Sequence, residues 1–217
     1  FQSPDGTIAW IYGQALPEKD EEGKVIGYIG AVTDLTGQKK ATEERREREK
    51  RLLRQSRVLA KLTTRKPPRP ESLAEGLGKI TEAAARTLQV ERAGVWLFNA
   101  ERTSVRCADL FELQAQHHSR GQELAATEFP NYFAKIEERR AIAANEAHTD
   151  PLTREFSQSY FLPLGISSVL DAPIRLGGKT VGVVWHEHVG PARYWTPDEI
   201  HFAGSIADIV SLVLEGK

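Results

Sequence analysis

The side chains best suited to chemistry are Asp171 and His186, which stand on two apolar, β-branched runs near the end of the chain. Gly177-Gly178 joins the two runs, and this dipeptide readily adopts the positive φ angles of a two-residue hairpin turn. With these glycines as the loop, Asp171 lies opposite Val184 and diagonal to His186, at a distance of about 7–8 Å. Such an Asp–His pair either anchors a ligand or satisfies its own polar groups, and both interpretations stay open.

The predicted hairpin has one apolar face and one mixed face. The apolar face carries Leu170, Ala172, Ile174, Val181, Val183 and Trp185. The mixed face carries Val169, Asp171, Pro173, Arg175, Thr180, Gly182, Val184 and His186. Because side chains alternate along a strand, this pattern predicts a hydrophobic core on one side of the sheet and a ligand cavity on the other.

Aromatic and apolar residues between positions 114 and 163 should face the mixed side of the hairpin. They are Phe129, Tyr132, Phe133, Ile136, Phe156, Tyr160 and Phe161. These residues form either the wall of a ligand pocket or a second hydrophobic core. In the first case the candidate ligand contacts are Tyr132, Phe133 and Tyr160, together with Val184 on the mixed face of the hairpin.

The string His186-Glu187-His188 has the residue types of a metal site. Alternation places both histidines on one face, where Asp171 could supply a third ligand. No other histidine or cysteine stands at a ligand spacing from them, so we predict no metal site. The single cysteine, Cys107, also excludes an intrachain disulfide and a multi-cysteine zinc site, which fits a reducing, cytoplasmic compartment.

The composition is that of a globular protein, with 217 residues of which 40% are hydrophobic and 27% are charged. A net charge of −1 gives no general attraction to nucleic acid, and no nucleic-acid partner is predicted. No run approaches the roughly 18 apolar residues that a membrane span needs, and no signal peptide is visible. The absence of methionine and the opening on Phe1 predict a piece of a longer protein.

Residues 1–36 have the pattern of a β-hairpin, with strands at 7–16 and 25–33 and a charged turn between them. The pattern that stands out comprises Asp5-Gly6, Trp10, Pro17, Gly23, Gly27 and Asp34-Leu35-Thr36. It resembles the closing strands of a PAS domain and covers the last third of such a domain. The resemblance implies that any sensing by a PAS domain needs residues outside this hairpin.

Residues 37–66 form a charged linker that is predicted to be helical from 37 to 65, with Asp34 or Thr36 as its cap. A heptad in its second half would place at core positions Leu52, Leu59 and Leu62. This half could therefore pair as a coiled coil, and a solvated linker helix is the alternative. Glutamates alternate with the arginines, which favours i,i+4 ion pairs over phosphate binding.

Lys66-Pro67-Pro68-Arg69-Pro70 breaks the helix and begins a domain over residues 67–217. Its predicted elements are a helix at 73–88, strands at 93–99 and 105–113, a loop at 114–128, helices at 130–140 and 152–162 around a short segment at 142–145, the glycine-linked hairpin, and a final helix. Thr196, Pro197 and Glu199 cap that last helix. The order predicts an α+β fold, with an antiparallel sheet covered by the first and last helices.

From about residue 70 to residue 215 the chain resembles a GAF domain. The resemblance is carried by the glycine-linked strand pair after Gly165 and by Trp195-Thr196-Pro197-Asp198-Glu199 at the start of the last helix. It implies a sensor module that holds a small molecule between the sheet and the middle elements. It also implies a homodimer through the terminal and linker helices.

The chain departs from the residue patterns of three GAF classes. Cyclic-nucleotide-binding GAF domains carry Asn-Lys-x-x-Phe-x-x-x-Asp-Glu where this chain has residues 145–151, and the Lys and Phe are missing here. Asn145 and Asp150 remain candidate ligand contacts, although Asp150 could instead cap the next helix. Cys107 lies in a different place from the cysteine that attaches bilins, so no covalent bilin is expected and the cofactor is unknown. GAF-fold sulfoxide reductases use several cysteines.

These features predict a cytoplasmic, bacterial-type sensory fragment, made of the end of a PAS domain, a signalling helix and a GAF domain. It would bind a small molecule and relay a helix displacement to an output domain, such as a histidine kinase or a cyclic-dinucleotide enzyme. The fragment itself is predicted to have no catalytic activity. The alternatives are a structural dimerisation module with a filled pocket and a small GAF-fold enzyme that uses Cys107.

Overall fold

The computed structural model describes residues 2, 6, 8–64 and 72–216. The predicted helix break at 66–70, the first residue of the predicted first strand, Thr7, and Asp5 of the PAS-like pattern lie outside the described residues. By its internal contacts the chain forms two units, Phe1–Leu53 and Arg54–Lys217. Each unit has its own architecture.

The first unit is an antiparallel hairpin that leads into a long helix. Its elements are β1 (Ile11–Lys19), β2 (Val25–Asp34) and the beginning of α1 (Thr36–Thr64). Asp20 fixes the turn, since its Oδ1 accepts the N–H groups of Glu22 and Lys24 at 3.1 and 2.8 Å. Asp34 Oδ1 accepts the N–H of Thr36 at 2.7 Å, and hydrogen bonds from Thr36 lower the pKa of Asp34. The predicted hairpin is confirmed, and its assignment to a PAS domain stays a prediction.

The second unit is built on a seven-stranded antiparallel sheet. Its helices are α2 (Leu73–Leu88), α3 (Pro130–Glu138), α4 (Leu162–Leu164) and α5 (Pro197–Glu215). Its strands are β3 (Arg92–Phe98), β4 (Ser104–Glu112), β5 (His117–Ser119), β6 (Glu123–Ala125), β7 (Ile142–Ala144), β8 (Ile166–Leu176) and β9 (Lys179–Val189). The strand order is β5-β4-β3-β9-β8-β7, and β6 also pairs with β4. The predicted α+β class with an antiparallel sheet is confirmed.

Helices α2 and α5 cover one face of this sheet and enclose what we call the helical core. Ser72 caps α2, and Thr196 with Glu199 forms the predicted capping box of α5. Besides Trp195, the helical core contains the large buried side chains Leu77, Phe111, Leu170, Ile174, Phe202 and Ile206. Within the described part of the chain, no helix is long and apolar enough to cross a membrane.

The last turns of α1 belong to this second unit. Val58, Leu59 and Leu62 pack against the helical core. Two of the three leucines that were assigned to a heptad therefore have contacts inside the unit, and burial against the core is sufficient to explain their spacing. Pairing of α1 as a coiled coil stays a prediction.

The opposite face of the sheet carries an aromatic core. Its rings belong to Trp96, Phe129, Tyr132, Phe133, Phe156, Tyr160, Phe161 and Trp185. The predicted single helix at 152–162 is wrong, because the chain makes a 3₁₀ turn at Arg154–Phe156 and a π-helical turn at Ser157–Phe161. Phe156, at the end of the 3₁₀ turn, and Tyr160 and Phe161, in the π turn, all pack in the aromatic core. The predicted loop at 114–128 contains the short strands β5 and β6.

The register of the β8–β9 hairpin differs from the prediction beyond its turn. Gly177 and Gly178 have φ angles of 55° and 80° and form the expected loop. Val181 is an extra residue on β9, since the register shifts between Arg175 and Ile174. Asp171 therefore lies opposite Trp185, and not opposite Val184.

A shift of one residue exchanges the two faces of β9. Val184 packs in the helical core, and His186, two residues further on, shares its face. Val183 and Trp185 pack in the aromatic core together with Val169. The predicted faces of β8 are correct, those of β9 beyond the bulge are wrong, and the predicted Asp171–His186 pair does not form.

Candidate functional site

A small cavity of about 10 Å³ lies in the aromatic core, between the sheet and the segment 154–164. This volume is about that of one water molecule. The cavity is lined by Phe156, Tyr160, Phe161, Val169, Asp171, Trp185 and Glu187. It therefore combines two carboxyl groups and a hydroxyl with a wall of aromatic rings.

Asp171 is the polar group at the sheet side of the cavity, and it is only 3% exposed. Its Oδ2 accepts a hydrogen bond of 2.7 Å from Tyr132 Oη, which in turn accepts one of 2.6 Å from Trp185 Nε1. Its Oδ1 has no hydrogen-bonding partner. Burial raises the pKa of Asp171 well above its ordinary value, and the bond from Tyr132 and a weaker interaction with the backbone of His186 offset only part of this effect.

Glu187 is the second buried carboxyl group, with 2% exposure. Arg92 Nε donates to Glu187 Oε2 at 2.8 Å, and Arg92 Nη1 donates to Glu112 Oε1 at 2.5 Å. Burial raises the pKa of Glu187 although Arg92 opposes the change. Tyr160 Oη lies near this pair, is buried, and makes no hydrogen bond of normal geometry. One buried cation, Arg92, therefore serves the buried Glu187 and the half-exposed Glu112, and Asp171 has no cationic partner among the described contacts.

Three of the predicted site residues come together around this cavity: Asp171, Tyr132 and Tyr160. Phe133 packs against the Tyr132 ring in an edge-to-face arrangement, with 5.2 Å between the ring centroids. Glu187 and Val169 complete the set, and Glu187 was not predicted as a site residue. The bulge in β9 explains that omission, since it is not evident from the local pattern of the hairpin.

The other predicted site residues have structural roles. Val184 and His186 lie on the helical side of the sheet, where the ring Nδ1 of His186 is 2.7 Å from the Leu170 carbonyl oxygen. Burial lowers the pKa of His186 to about 4, so its ring is neutral and Nδ1–H donates that bond. Asn145 Oδ1 accepts the N–H of Trp195 at 2.9 Å, and Asp150 Oδ1 accepts the N–H of Leu152 at 2.8 Å.

A fully satisfied buried carboxylate was missed from the sequence. Asp109 of β4 accepts bonds from Thr81 of α2 at 2.5 Å and from Arg120 at 2.9 Å, and His118 Nδ1 lies 2.9 Å from it. These contacts fix α2 to the sheet edge. The contact with Asp109 gives His118 a structural role. A second histidine, His188, pairs with Glu91. Among the described residues no group of three or more metal ligands is present.

Cys107 is a buried residue of β4. Its Sγ lies 3.8 Å from the Ser119 carbonyl oxygen. Burial raises the pKa of the thiol to about 12, with Asp109 contributing in the same direction. A neutral, buried thiol is a poor nucleophile, so this environment does not favour covalent attachment of a cofactor.

A wider depression of about 710 Å³ opens at the sheet edge near β3, β4 and the loop before β6. Its polar groups are exposed or already paired: Ser104 donates to Glu123 at 2.5 Å, and Arg120 donates to Asp109. None of the described side chains that line it has an unpartnered buried polar atom. The small cavity is therefore the better candidate for a specific site.

Asp171→Asn should raise the free energy of unfolding at neutral pH. Because the folded state raises the pKa of Asp171, its stabilising contribution is complete below its ordinary value of 3.8 and is lost as pH rises through the raised value. Within that window the loss is about 1.4 kcal/mol per pH unit. An amide keeps the acceptor for Tyr132 and removes the ionisation. Urea unfolding at acidic and neutral pH would measure the difference.

The matched control for this substitution is Asp208→Asn, at an exposed position of α5. It should follow the pH dependence of the wild-type protein. In Asp171→Asn the free energy of unfolding should still change with pH, but with a smaller slope, because Glu187 also has a raised pKa. Equal stabilities of Asp171→Asn and the wild type at neutral pH would contradict an energetic penalty at Asp171.

The fold and the cavity define a domain of the GAF class. The GAF domain family matches residues 72–214, and the chain belongs to that family. GAF domains are typically sensory or regulatory ligand-binding modules of signalling proteins. No curated protein matches the sequence.

Several solved structures share this fold. A phycocyanobilin-bound GAF domain from a cyanobacterial phytochrome matches with a TM-score of 0.62 and 17% identity, over 75% of this chain and 94% of that chain. The GAF domain of an Acinetobacter phosphoenolpyruvate-protein phosphotransferase gives a TM-score of 0.57 and 14% identity, over 76% and 92%. The Stigmatella aurantiaca phytochrome photosensory core module matches with a TM-score of 0.61 and 14% identity. This match covers 76% of the present chain but only 37% of the phytochrome chain. These identities show a common fold alone.

Proposed function

We propose that this GAF domain is a sensory module that binds a small molecule in the cavity between the sheet and residues 154–164. The observation that carries the proposal is a buried carboxylate oxygen at the cavity, Asp171 Oδ1, that has no hydrogen-bonding partner, with Tyr160 Oη close to Arg92 and Glu187 but in no hydrogen bond of normal geometry. Buried polar atoms are nearly always satisfied in folded proteins. A ligand that makes these bonds would therefore stabilise the domain.

The cavity favours binding over catalysis. Among the described residues that line it there is no Ser, Thr, Cys, Lys or His that could act as a nucleophile with an adjacent base. Cys107, the residue on which an enzymatic alternative depends, does not line this cavity. Its buried, neutral thiol also lacks the activation that catalytic cysteines need.

Strand β8 offers a route from the cavity to the helices. Asp171 lines the cavity, while its neighbours Leu170 and Ala172 pack in the helical core with α5. We propose that ligand binding shifts the preferred arrangement of this strand and of the helices in a homodimer. The predicted relay to a histidine kinase or cyclic-dinucleotide enzyme in a bacterial cytoplasm is supported by the helical linker α1 and by resemblance to sensory proteins.

The second candidate function is a structural dimerisation module without a ligand. It is favoured by the size of the cavity, which at about 10 Å³ is far below the roughly 300–1,000 Å³ of pockets for drug-sized ligands. The residues present do not accommodate a bilin in this conformation. A ligand larger than a few atoms would have to displace the aromatic side chains of residues 154–161.

A thermal-shift screen with nucleotides, haem, biliverdin and amino acids tests the proposal. Binding to the folded state raises Tm, so a ligand at 100 times its Kd should stabilise by about 2.7 kcal/mol. Val169→Leu places an extra methylene at the cavity and should weaken that response. Its matched control is Val184→Leu on the other face of the sheet, which should retain the response.

The outcome distinguishes the two candidate functions. A compound that stabilises the wild type and Val184→Leu but not Val169→Leu supports a ligand site in the cavity. A compound that stabilises all three proteins equally binds elsewhere. If every class fails to raise Tm, the structural dimerisation module is the better description.

A further inference from the structure

The charges around the cavity are unbalanced. Two carboxyl groups, Asp171 and Glu187, are buried there, and the buried cation beside them is Arg92, which Glu187 shares with Glu112. The guanidinium is committed to these two glutamates, and Asp171 receives its bond from a phenol instead. Buried carboxylates are stable only when paired and hydrogen-bonded. The cavity therefore lacks a positive charge beside Asp171.

The polar atoms of the cavity that are still able to form hydrogen bonds are mainly acceptors. Trp185 Nε1–H already donates to Tyr132, and Tyr132 Oη–H already donates to Asp171. Asp171 Oδ1 has no partner and can only accept when ionised, and Tyr160 Oη, beside Arg92 and Glu187, makes no hydrogen bond of normal geometry. An anion brings no donor to this position. A group with several N–H donors fits both atoms.

The rest of the wall consists of aromatic rings. Phe156 lies 5.6 Å from Trp185 and 5.5 Å from Phe161 between ring centroids, and Tyr160 lies 5.8 Å from Trp185. Aromatic faces attract cations electrostatically, and the attraction grows when the cation is desolvated. An aromatic wall around a carboxylate is the environment in which proteins hold ammonium groups.

We propose, building on the function proposed above, that the cavity binds a small ammonium-type cation, either ammonium itself or the head of a primary alkylammonium. Its N–H groups donate to Asp171 Oδ1 and Tyr160 Oη, and its charge balances Asp171. The available space of about 10 Å³ accepts a group of the size of one water molecule. Larger alkyl groups require displacement of Phe156 or Phe161.

The proposed cation binds beside the ionised form of Asp171. The groups that face Asp171 are Tyr132 from α3, Tyr160 from the π turn, and Trp185 and Glu187 from β9, the last of them paired with Arg92. Because burial and Glu187 raise the pKa of Asp171, binding of one cation releases one proton from a protonated Asp171. The affinity for the cation should therefore rise with pH until Asp171 is ionised in the free protein.

The test uses the indole N–H resonances of the ¹⁵N-labelled protein, which has four tryptophans. Trp185 borders the cavity, and Trp195 packs in the helical core and serves as an internal control. Ammonium chloride and methylammonium chloride should shift the Trp185 signal to saturation and leave that of Trp195 in place. Potassium chloride, methanol and sodium formate are matched probes for charge without N–H donors, for a neutral molecule and for an anion.

The result expected is a saturable response to the two ammonium probes that weakens about tenfold or more in Asp171→Asn, since the substitution removes the charged acceptor. Asp208→Asn should respond like the wild type. If methanol or formate shifts Trp185 and the ammonium salts do not, the cation proposal fails while a ligand site in the cavity stands. An equal response to potassium, or no response to any probe, also overturns the cation proposal, and the Tm screen then decides independently on ligand binding.

Discussion

Arg92→Met should destabilise the GAF domain by about 3–5 kcal/mol, because it removes one partner of a buried ion pair. Arg92 is the cation that faces the nearly fully buried Glu187, at 2.8 Å, and it also holds Glu112. Without it, Glu187 either stays charged and unpaired or takes up a proton at neutral pH. Methionine keeps most of the side-chain volume, so the loss is electrostatic. Urea unfolding followed by tryptophan fluorescence measures the change.

Two further variants show whether the effect comes from the buried charge. Lys79→Met removes an exposed i,i+4 pair with Glu75 and should change stability by only about 0.5 kcal/mol. Combining Arg92→Met with Glu187→Gln should recover a large part of the loss, because no unpaired charge then remains. A loss below about 1 kcal/mol for Arg92→Met alone would contradict the importance of this pair.

Gly182→Ala should destabilise the domain by about 3 kcal/mol or more, since overpacking against backbone cannot be relieved by a rotamer change. A Cβ at this position would lie 2.3 Å from the Trp96 carbonyl oxygen and 2.8 Å from Leu97 Cδ2. The strand β9 would have to move away from β3. This movement would also disturb the bulge at Val181, and through it the position of Trp185 at the cavity. Thermal or urea unfolding would detect the loss.

The matched substitution is Gly204→Ala in α5. A Cβ there has its nearest neighbour at 3.6 Å, on Arg140 Nε, which is an ordinary contact. The substitution should raise stability by about 0.5–1 kcal/mol, because alanine favours a helix more than glycine does. If Gly182→Ala were tolerated as well as Gly204→Ala, the close approach of β9 to β3 would be wrong.

The parts of the fold that depend on local signals were predicted from the sequence. Gly177-Gly178 forms the expected turn, and Thr196 with Glu199 forms the expected capping box. Both motifs act within four residues, so the sequence alone specifies them. The α+β class with an antiparallel sheet follows from the order of such elements.

The register of the hairpin was not predictable in the same way. The bulge at Val181 lies where β9 passes so close to β3 that residue 182 has to be glycine. This is a long-range contact between strands that are far apart in sequence. A shift of one residue exchanges the two faces of a strand. Because the bulge was not predicted, His186 and Val184 were placed on the wrong face of the sheet, and Glu187 was not recognised as a site residue.

The cavity itself was predicted only in outline. The aromatic residues of the middle segment were found from composition and spacing, and Asp171, Tyr132 and Tyr160 are indeed close together. Their arrangement depends on the π turn at Ser157–Phe161, which has no simple sequence signal. Arg92, at the start of a distant strand, could be assigned to the site only once β3 was placed beside β9.

A crystal structure of the protein with the compound that gives the largest rise in Tm would show whether the cavity in the aromatic core is the ligand site. We expect the compound to lie between β8, β9 and residues 154–161, in hydrogen-bonding contact with Asp171 and Tyr160. The rings of Phe156 and Phe161 should move aside as far as the compound requires. A compound found on the helical face or in the open depression at the sheet edge, with the aromatic core unchanged, would contradict this expectation.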